Sequence, residues 1–388
     1  MSVLITSKSS ISALGFNKQR VWERYHADQH HLSICCFNDI DTPTARLSES
    51  NQQLIEALRK ETPHYRKLDK SVLMSILTAR EVVKQSAWTD LSTVGINIGS
   101  SRGATQLFEK YHQHFIQSPS KRMSPMVSPT TTLGNISSWV AYDLGLKGIS
   151  LSHSITCSSA LHSILNAYVW IKSGQSDQFI AGGSEAPLTD FTVAQMRALG
   201  IYSQQTTHWY CQPLKEMTND NTMILGEGAA LFCLEKDNGQ NALVKIIGVG
   251  YATEHIEHAA SLSAEADCLQ KSMNMALKNI DKSEVDVVVM HAPGTLQGDE
   301  SELKSVKSVF GKQMPHLIST KHHSGHTLGA SGGISLDLAI EMIQRQSVVS
   351  FPYPNIATQK PSIVPKTILV NAVGFGGNAV SITIQKAD

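Results

Sequence analysis

Short runs of β-branched and other apolar residues alternate along this chain with small-residue turns and helix-length segments. "VGINIGSS", "QFIAGGSEA", "ALVKIIGVGY", "VDVVVMHAP", "HLIST" and "TILVNAVGFGG" each read as a strand running into a turn. Strands alternating with helices predict an α/β layered fold with a mainly parallel or mixed sheet. The run 158–172 predicts a helix. Its apolar positions Ala160, Leu161, Ile164, Leu165, Ala167, Tyr168, Val169 and Ile171 cover nearly the whole circumference, so burial is expected, and Ser173 with Gly174 ends it. The polar stretch "EKDNGQN" (235–241) separates two sets of strands and predicts a joint between two halves, 1–238 and 239–388. Segments 28–53 and 200–223 show no regular period and read as surface excursions.

Composition narrows the function classes. Thirty-three basic residues balance thirty-three acidic ones over 388 residues, so no global field draws the molecule to nucleic acid or an anionic membrane. Six cysteines without a CxxC pair fit a reducing compartment. No window of about 18 uninterrupted apolar residues occurs, and "MSVLITSKSSISALGF" lacks a basic region leading into an apolar one, so a cytoplasmic protein without a membrane span is expected.

Candidate chemistry centres on "SITCSSALHS", residues 154–163. A free cysteine is most often a small buried hydrophobe. Cys157, however, directly precedes the helix just described, whose N-terminus carries partial positive charge and unsatisfied N–H groups that are expected to favour a thiolate. Two histidines stand at comparable strand exits: His291 after "VDVVVM" ahead of a turn into a helix started by Asp299, and His326 within "STKHHSGHTLGASGG". Such junctions gather active-site residues in α/β proteins. His322, His323 and His326 could alternatively hold zinc, but no carboxylate or thiol lies close in sequence. "GGSEA" nearly matches a GxSxG elbow but reads better as a turn, and no GxGxxG or P-loop pattern is present. "GFGGN" (374–378) is a tight glycine turn that could present a backbone N–H to an oxyanion.

Seven stretches in order carry a resemblance: "GLKGIS", "TCSSALHS", "AGGSEA", "LGEGAALFCLE", "HAPGTLQGDESE", "STKHHSGHTLGASGG" and "NAVGFGGN". Together they resemble the elongating β-ketoacyl-acyl carrier protein synthases of the thiolase-like superfamily, and more particularly a divergent subgroup like the type II polyketide and aryl-polyene ketosynthases. The resemblance implies a five-layered αβαβα thiolase-like fold of two similar halves. It implies Cys157 as acyl-accepting nucleophile, His291 and His326 as the histidine pair, Lys321 and Glu302 as their charged support, and Phe375 as the gate whose N–H joins that of Cys157 in an oxyanion hole. Thr295 and Gly376 would contact substrate, and Lys67, Lys121, Arg122 and Arg197 would meet an acidic acyl carrier protein. Arg66 belongs to the same basic stretch.

The implied reaction is a decarboxylative Claisen condensation with malonyl-carrier protein, in fatty-acid-like or polyketide (including polyene) elongation. It needs no metal or organic cofactor, since substrates arrive on phosphopantetheine. A dimer is implied, either a homodimer or a heterodimer with a paralogous chain-length-factor-like subunit. Departures from the family pattern are Pro293 where a threonine would touch pantetheine, Val373 for the first phenylalanine of the glycine turn, Thr156 for a small residue before the cysteine, and "QPLKEMTND" for the RPFD-type loop. A thiolase would need a second catalytic cysteine near the glycine turn, yet the last one is Cys268, and an initiating synthase would have asparagine where His326 stands. A non-catalytic chain-length factor is the alternative from another class, and such subunits generally lack the cysteine found here.

Overall fold

The structure is a computed structural model that describes residues 2–120, 122–133, 135–205, 209–217, 219–239, 241–255 and 262–387. Its strands are β1 (Val3–Ile11), β2 (Ser33–Phe37), β3 (Ile40–Thr44), β4 (Gly95–Gly99), β5 (Ser150–His153), β6 (Gln178–Glu185), β7 (Gly228–Lys236), β8 (Val244–Thr253), β9 (Val287–Val289), β10 (His316–Ile318), β11 (Thr367–Gly374) and β12 (Asn378–Lys386). All six quoted strand runs form strands. β2 and β3 make a separate ribbon, and the other ten strands form one sheet in the order β10-β9-β11-β12-β8-β1-β7-β6-β4-β5.

That order repeats itself. Within β1 and β4–β7 the third strand lies beside the second, then the fourth, fifth and first; β8–β12 follow the same sequence. The parallel pairs β4–β5 and β4–β6 correspond to β9–β10 and β9–β11. The antiparallel pairs β6–β7 and β7–β1 correspond to β11–β12 and β12–β8. The two units join where the equivalent strands β1 and β8 pair over Val3–Ile5 and Val244–Ile246. Equivalent helices, Ser159–Lys172 and Ser331–Arg345, pack on each other and on strands of both units. Lys70–Gln85 covers the outer face of β1, β6 and β7, and Asp267–Ala276 covers β8 and β12. The two halves of this one sheet flank the central helices, so helix, half-sheet, central helices, half-sheet and helix give five layers, as the resemblance implies.

Burial explains the central layer. From Ser331 to Ile343 every residue is buried, including Asp337 and Glu341. These two carboxylates each lie 2.9 Å from Lys8 Nζ on β1, a buried pairing that ties the second unit's helix to the first unit's strand. Losing Lys8 would leave the buried Asp337 carboxylate without its countercharge, whereas Glu341 keeps Arg345. The helix Ser159–Lys172 starts one residue later than the sequence indicates and is buried except on its outer side, where Val169 is 52% exposed.

Two expectations need correction. Segments 28–53 and 200–223 are surface excursions only in part: Thr42, Thr44, Ala45, Tyr202, Trp209, Cys211 and Leu214 are buried. Non-local bridges, Ala45 to Gly226, Tyr202 to Met223 and Lys215 to Asn355, hold them, and such contacts leave no periodic trace. The helix after His291 runs Leu296–Phe310, so Asp299 does not start it. Instead its carboxylate accepts the N–H groups of Leu214, Gly294 and Thr295 from inside the first turn.

Candidate active site

Cys157 lies between β5 and the central helix, in a turn forced into an unusual shape. Thr156 has φ +46°, a left-handed conformation costly for a β-branched residue. Ser158 and Ser159 close the turn: their hydroxyls donate to the carbonyls of Ile155 and Thr156 at 2.8 and 2.7 Å. The glycine turn after β11 sits directly on this structure. A side chain at Gly374 would strike Thr156 Oγ1 and bring its Cβ within 3.0 Å of the Cys157 nitrogen. The Phe375 N–H is directed at the Cys157 sulfur.

His291 leaves β9, and Glu302 holds that exit by accepting the N–H groups of His291 at 2.9 Å and Ala292 at 2.7 Å, with Asn371 Nδ2 adding a third bond at 3.2 Å. His326 comes from the segment after β10. Its N–H donates to the Ile224 carbonyl of the first unit at 2.7 Å, and its carbonyl accepts from Gly226. The two rings stand edge to face, 5.2 Å between centroids. Cys157, His291, His326, Glu302, Thr295, Pro293, Val373 and Phe375 line one cavity of about 350 Å³, with Met196, Met223 and Leu328 among its apolar walls. Gly376, φ +89°, belongs to the Phe375 turn without lining the cavity.

Electrostatics corrects one sequence-based expectation. Burial pushes the Cys157 thiol up to about 12, and the neighbouring Glu185 carboxylate adds to this; Lys321, Arg102 and the Phe375 N–H pull the other way. Desolvation therefore outweighs Lys321, Arg102 and the Phe375 N–H, and the resting group is a thiol. Lys321 is fully buried, 3.4 Å from Ser335 Oγ, and its ammonium falls to about 8 because burial exceeds the help of Glu302 and the thiols. Burial first, and Lys321 second, drive His291 well below its usual range and His326 down to about 3. Both imidazoles are thus neutral and can donate an N–H without carrying charge.

The remaining assignments fall in different places. Lys67 and Arg122 are exposed and Arg66 with them, Arg197 is half-buried, and none lines the cavity. Arg197 donates to Thr42 Oγ1 and lies over the Tyr202 ring, so it is not a free surface charge. Lys121 lies outside the described residues. His322 and His323 point away from His326, into an aromatic cluster with Trp209, and His322 Nδ1 is 2.8 Å from the Ser319 carbonyl. Among the described residues no three metal-binding side chains converge.

Sequence reasoning missed Glu185, read only as part of a turn. Its buried carboxylate accepts from Ser100 Oγ and from the N–H groups of Ser101, Arg102 and Gly329, joining the loop after β4 to the start of the second central helix. A carboxylate following "AGGS" on a buried strand, with nothing nearby to pair it, was the available signal.

Two family models match this chain: Beta-ketoacyl synthase, N-terminal domain, over residues 1–239, and Beta-ketoacyl synthase, C-terminal domain, over residues 242–352. The chain belongs to the beta-ketoacyl synthase family. This ketosynthase is 26% identical to the 3-oxoacyl-[acyl-carrier-protein] synthase 2 of Staphylococcus aureus strain COL, across 99% of the chain and 98% of that relative. Among solved structures it superposes on the ishigamide ketosynthase/chain length factor with TM-score 0.88 at 17% identity, covering 100% of this chain and 99% of that one. It likewise matches a type II polyketide synthase assembly, AntDE:AntF, an acyl-carrier protein in complex with its ketosynthase, with TM-score 0.84 at 20% identity over 100% and 99%. The fold is thiolase-like, and the protein is an acyltransferase of ketosynthase type.

Proposed function

We propose that this ketosynthase condenses a Cys157-bound acyl group with malonyl-acyl carrier protein, in fatty-acid-like or polyketide chain elongation. The observation that carries the reading is the convergence of Cys157, His291, His326 and Phe375 on one cavity. The Cys157 sulfur attacks the thioester carbonyl of the acyl-carrier protein, and the N–H groups of Cys157 and Phe375 hold the tetrahedral oxyanion. The pantetheine sulfur leaves and takes up the proton lost by the thiol, which is why a resting thiol is compatible with the role. Malonyl-carrier protein then enters. The bond to its carboxylate breaks and carbon dioxide departs, while the neutral imidazole N–H groups of His291 and His326 stabilise the enolate oxygen. The carbanion attacks the Cys157 thioester, a carbon–carbon bond forms, and the sulfur is released.

Burial, with Lys321 second, keeps both imidazoles unprotonated, and Glu302 fixes the backbone that carries His291. Thr295 and Gly376 would meet the pantetheine arm, with Pro293 removing one hydroxyl from that contact. Residues 1–238 would form the nucleophile half and 239–388 the histidine half, a division supported by the repeated strand order. Lys67, Lys121 and Arg122, together with Arg197 in a packed position, would meet an acidic carrier protein. The partner would be a second copy or a chain-length-factor-like subunit. Incubation with acyl- and malonyl-carrier protein, with any paralogous subunit, should release carbon dioxide and give a β-ketoacyl product. Turnover retained by Cys157→Ala, or none by the parent, would contradict the reading.

A further inference from the structure

The Thr156 side chain occupies a position for which the condensation chemistry gives no role. It stands at φ +46°, a conformation that glycine adopts without strain and a β-branched residue does not. Its hydroxyl donates to the Phe375 carbonyl at 3.3 Å, across 219 positions of sequence. The same Phe375 residue turns its N–H toward the Cys157 sulfur. Adjacent residues of one turn thus face Phe375 on both sides, the Thr156 hydroxyl bonded to its carbonyl and the thiol opposite its amide. The contact is closely fitted, since any side chain at Gly374 would occupy the space of Thr156 Oγ1. Within the glycine turn the Gly377 N–H donates to the Gly374 carbonyl at 3.1 Å and Asn378 Nδ2 to the Gly376 carbonyl at 3.4 Å, and the Glu254 N–H donates to the Gly377 carbonyl at 3.2 Å, so these bonds leave the Phe375 carbonyl to Thr156. Phe375 itself is 37% exposed, so its side chain is only partly held by packing.

We propose that Thr156 is a positioning residue whose hydroxyl latches the Phe375 turn onto the nucleophile turn and fixes the N–H that faces Cys157. The strained backbone is what brings the hydroxyl within reach, because moving Thr156 out of the left-handed region would swing Oγ1 away from the glycine turn. The two turns belong to different topological units, so the latch also registers one unit against the other at the reacting sulfur. Its effect on turnover rests on Cys157 being the acyl acceptor; its effect on the turn does not.

The test uses Thr156→Ser, which keeps the hydroxyl, Thr156→Val, which keeps the branched shape, and Thr156→Gly, which removes hydroxyl and strain together. Amide hydrogen exchange of the peptide spanning 370–380 should quicken about five- to tenfold in the valine and glycine variants, the range expected for one lost hydrogen bond, and stay at the parent's rate in the serine variant. Single-turnover acylation from an acyl-carrier protein should slow by a similar factor in the same two variants, with the concentration giving half-maximal rate unchanged. Unchanged exchange in Thr156→Gly, which relieves strain and is expected to fold, overturns the latch. A serine variant perturbed as much as or more than the valine variant overturns it too, since the hydroxyl would then not be what holds the turn. A parent that exchanges as expected but is never acylated leaves the latch standing and rejects the acyl-acceptor reading.

Discussion

The reactivity of Cys157 toward a small alkylating agent follows from its surroundings. With its thiol at about 12, the thiolate fraction at pH 8 is about one in ten thousand, whereas a thiol at its ordinary 9.0 would be about one-tenth ionised. Iodoacetamide labelling of Cys157 should therefore be about a thousandfold slower than that of an ordinary thiol from ionisation alone. The rate should keep rising from pH 7 to pH 10 without levelling off, by less than tenfold per pH unit above about pH 8, where Lys321 loses its proton. Cys36, exposed in the same molecule, serves as the internal reference. Peptide-resolved mass spectrometry of timed samples gives both rates. Lys321→Met removes the cation that lowers the thiol, so it should slow Cys157 further and leave Cys36 unchanged. A plateau in the Cys157 rate below pH 9 would refute the reasoning, because the helix terminus and Lys321 would then outweigh desolvation.

Other expectations follow from the same site. His291→Ala and His326→Ala should each reduce decarboxylation of malonyl-carrier protein by about a hundredfold or more while Cys157 acylation persists, which separate assays of the two half-reactions resolve. Gly374→Ala should abolish acylation and lower the melting temperature, since its methyl would overlap Thr156 Oγ1. Buried His322, lowered to about 3, resists protonation in the fold, while the unfolded chain protonates near 6.5. Its stability contribution is therefore full above about pH 6.5 and is lost as pH falls toward 3. Between pH 7 and pH 5 that loss is about 2 kcal/mol, so His322→Phe should lose about that much less than the parent over the same interval in urea titrations.

Much of this architecture is legible in the chain. β4, β6, β8, β9, β10 and β11 all stood out as β-branched runs ending in small residues, because buried strands need no polar alternation. Cys157, His291 and His326 stood out because each follows a strand and precedes a helix or glycine turn. The strand-order repeat was not legible, because topology is preserved by which edges pair and places few demands on side-chain identity. Trp209, Cys211 and Tyr202 were misplaced at the surface because their partners are distant in sequence. Protonation was misread because helix polarity is visible in sequence whereas desolvation of Cys157 depends on walls such as Met196, Met223 and Leu328, contributed from elsewhere. Thr156 looked merely bulky; only its φ and the Phe375 carbonyl give it a partner.

The central claim is covalent, and intact-protein and peptide mass spectrometry after incubation with an acyl-carrier protein tests it most directly. The account predicts one added acyl group, carried on the peptide containing Cys157, removed by hydroxylamine and absent from Cys157→Ala. An acyl group on another residue, or one that survives in Cys157→Ala, would contradict it.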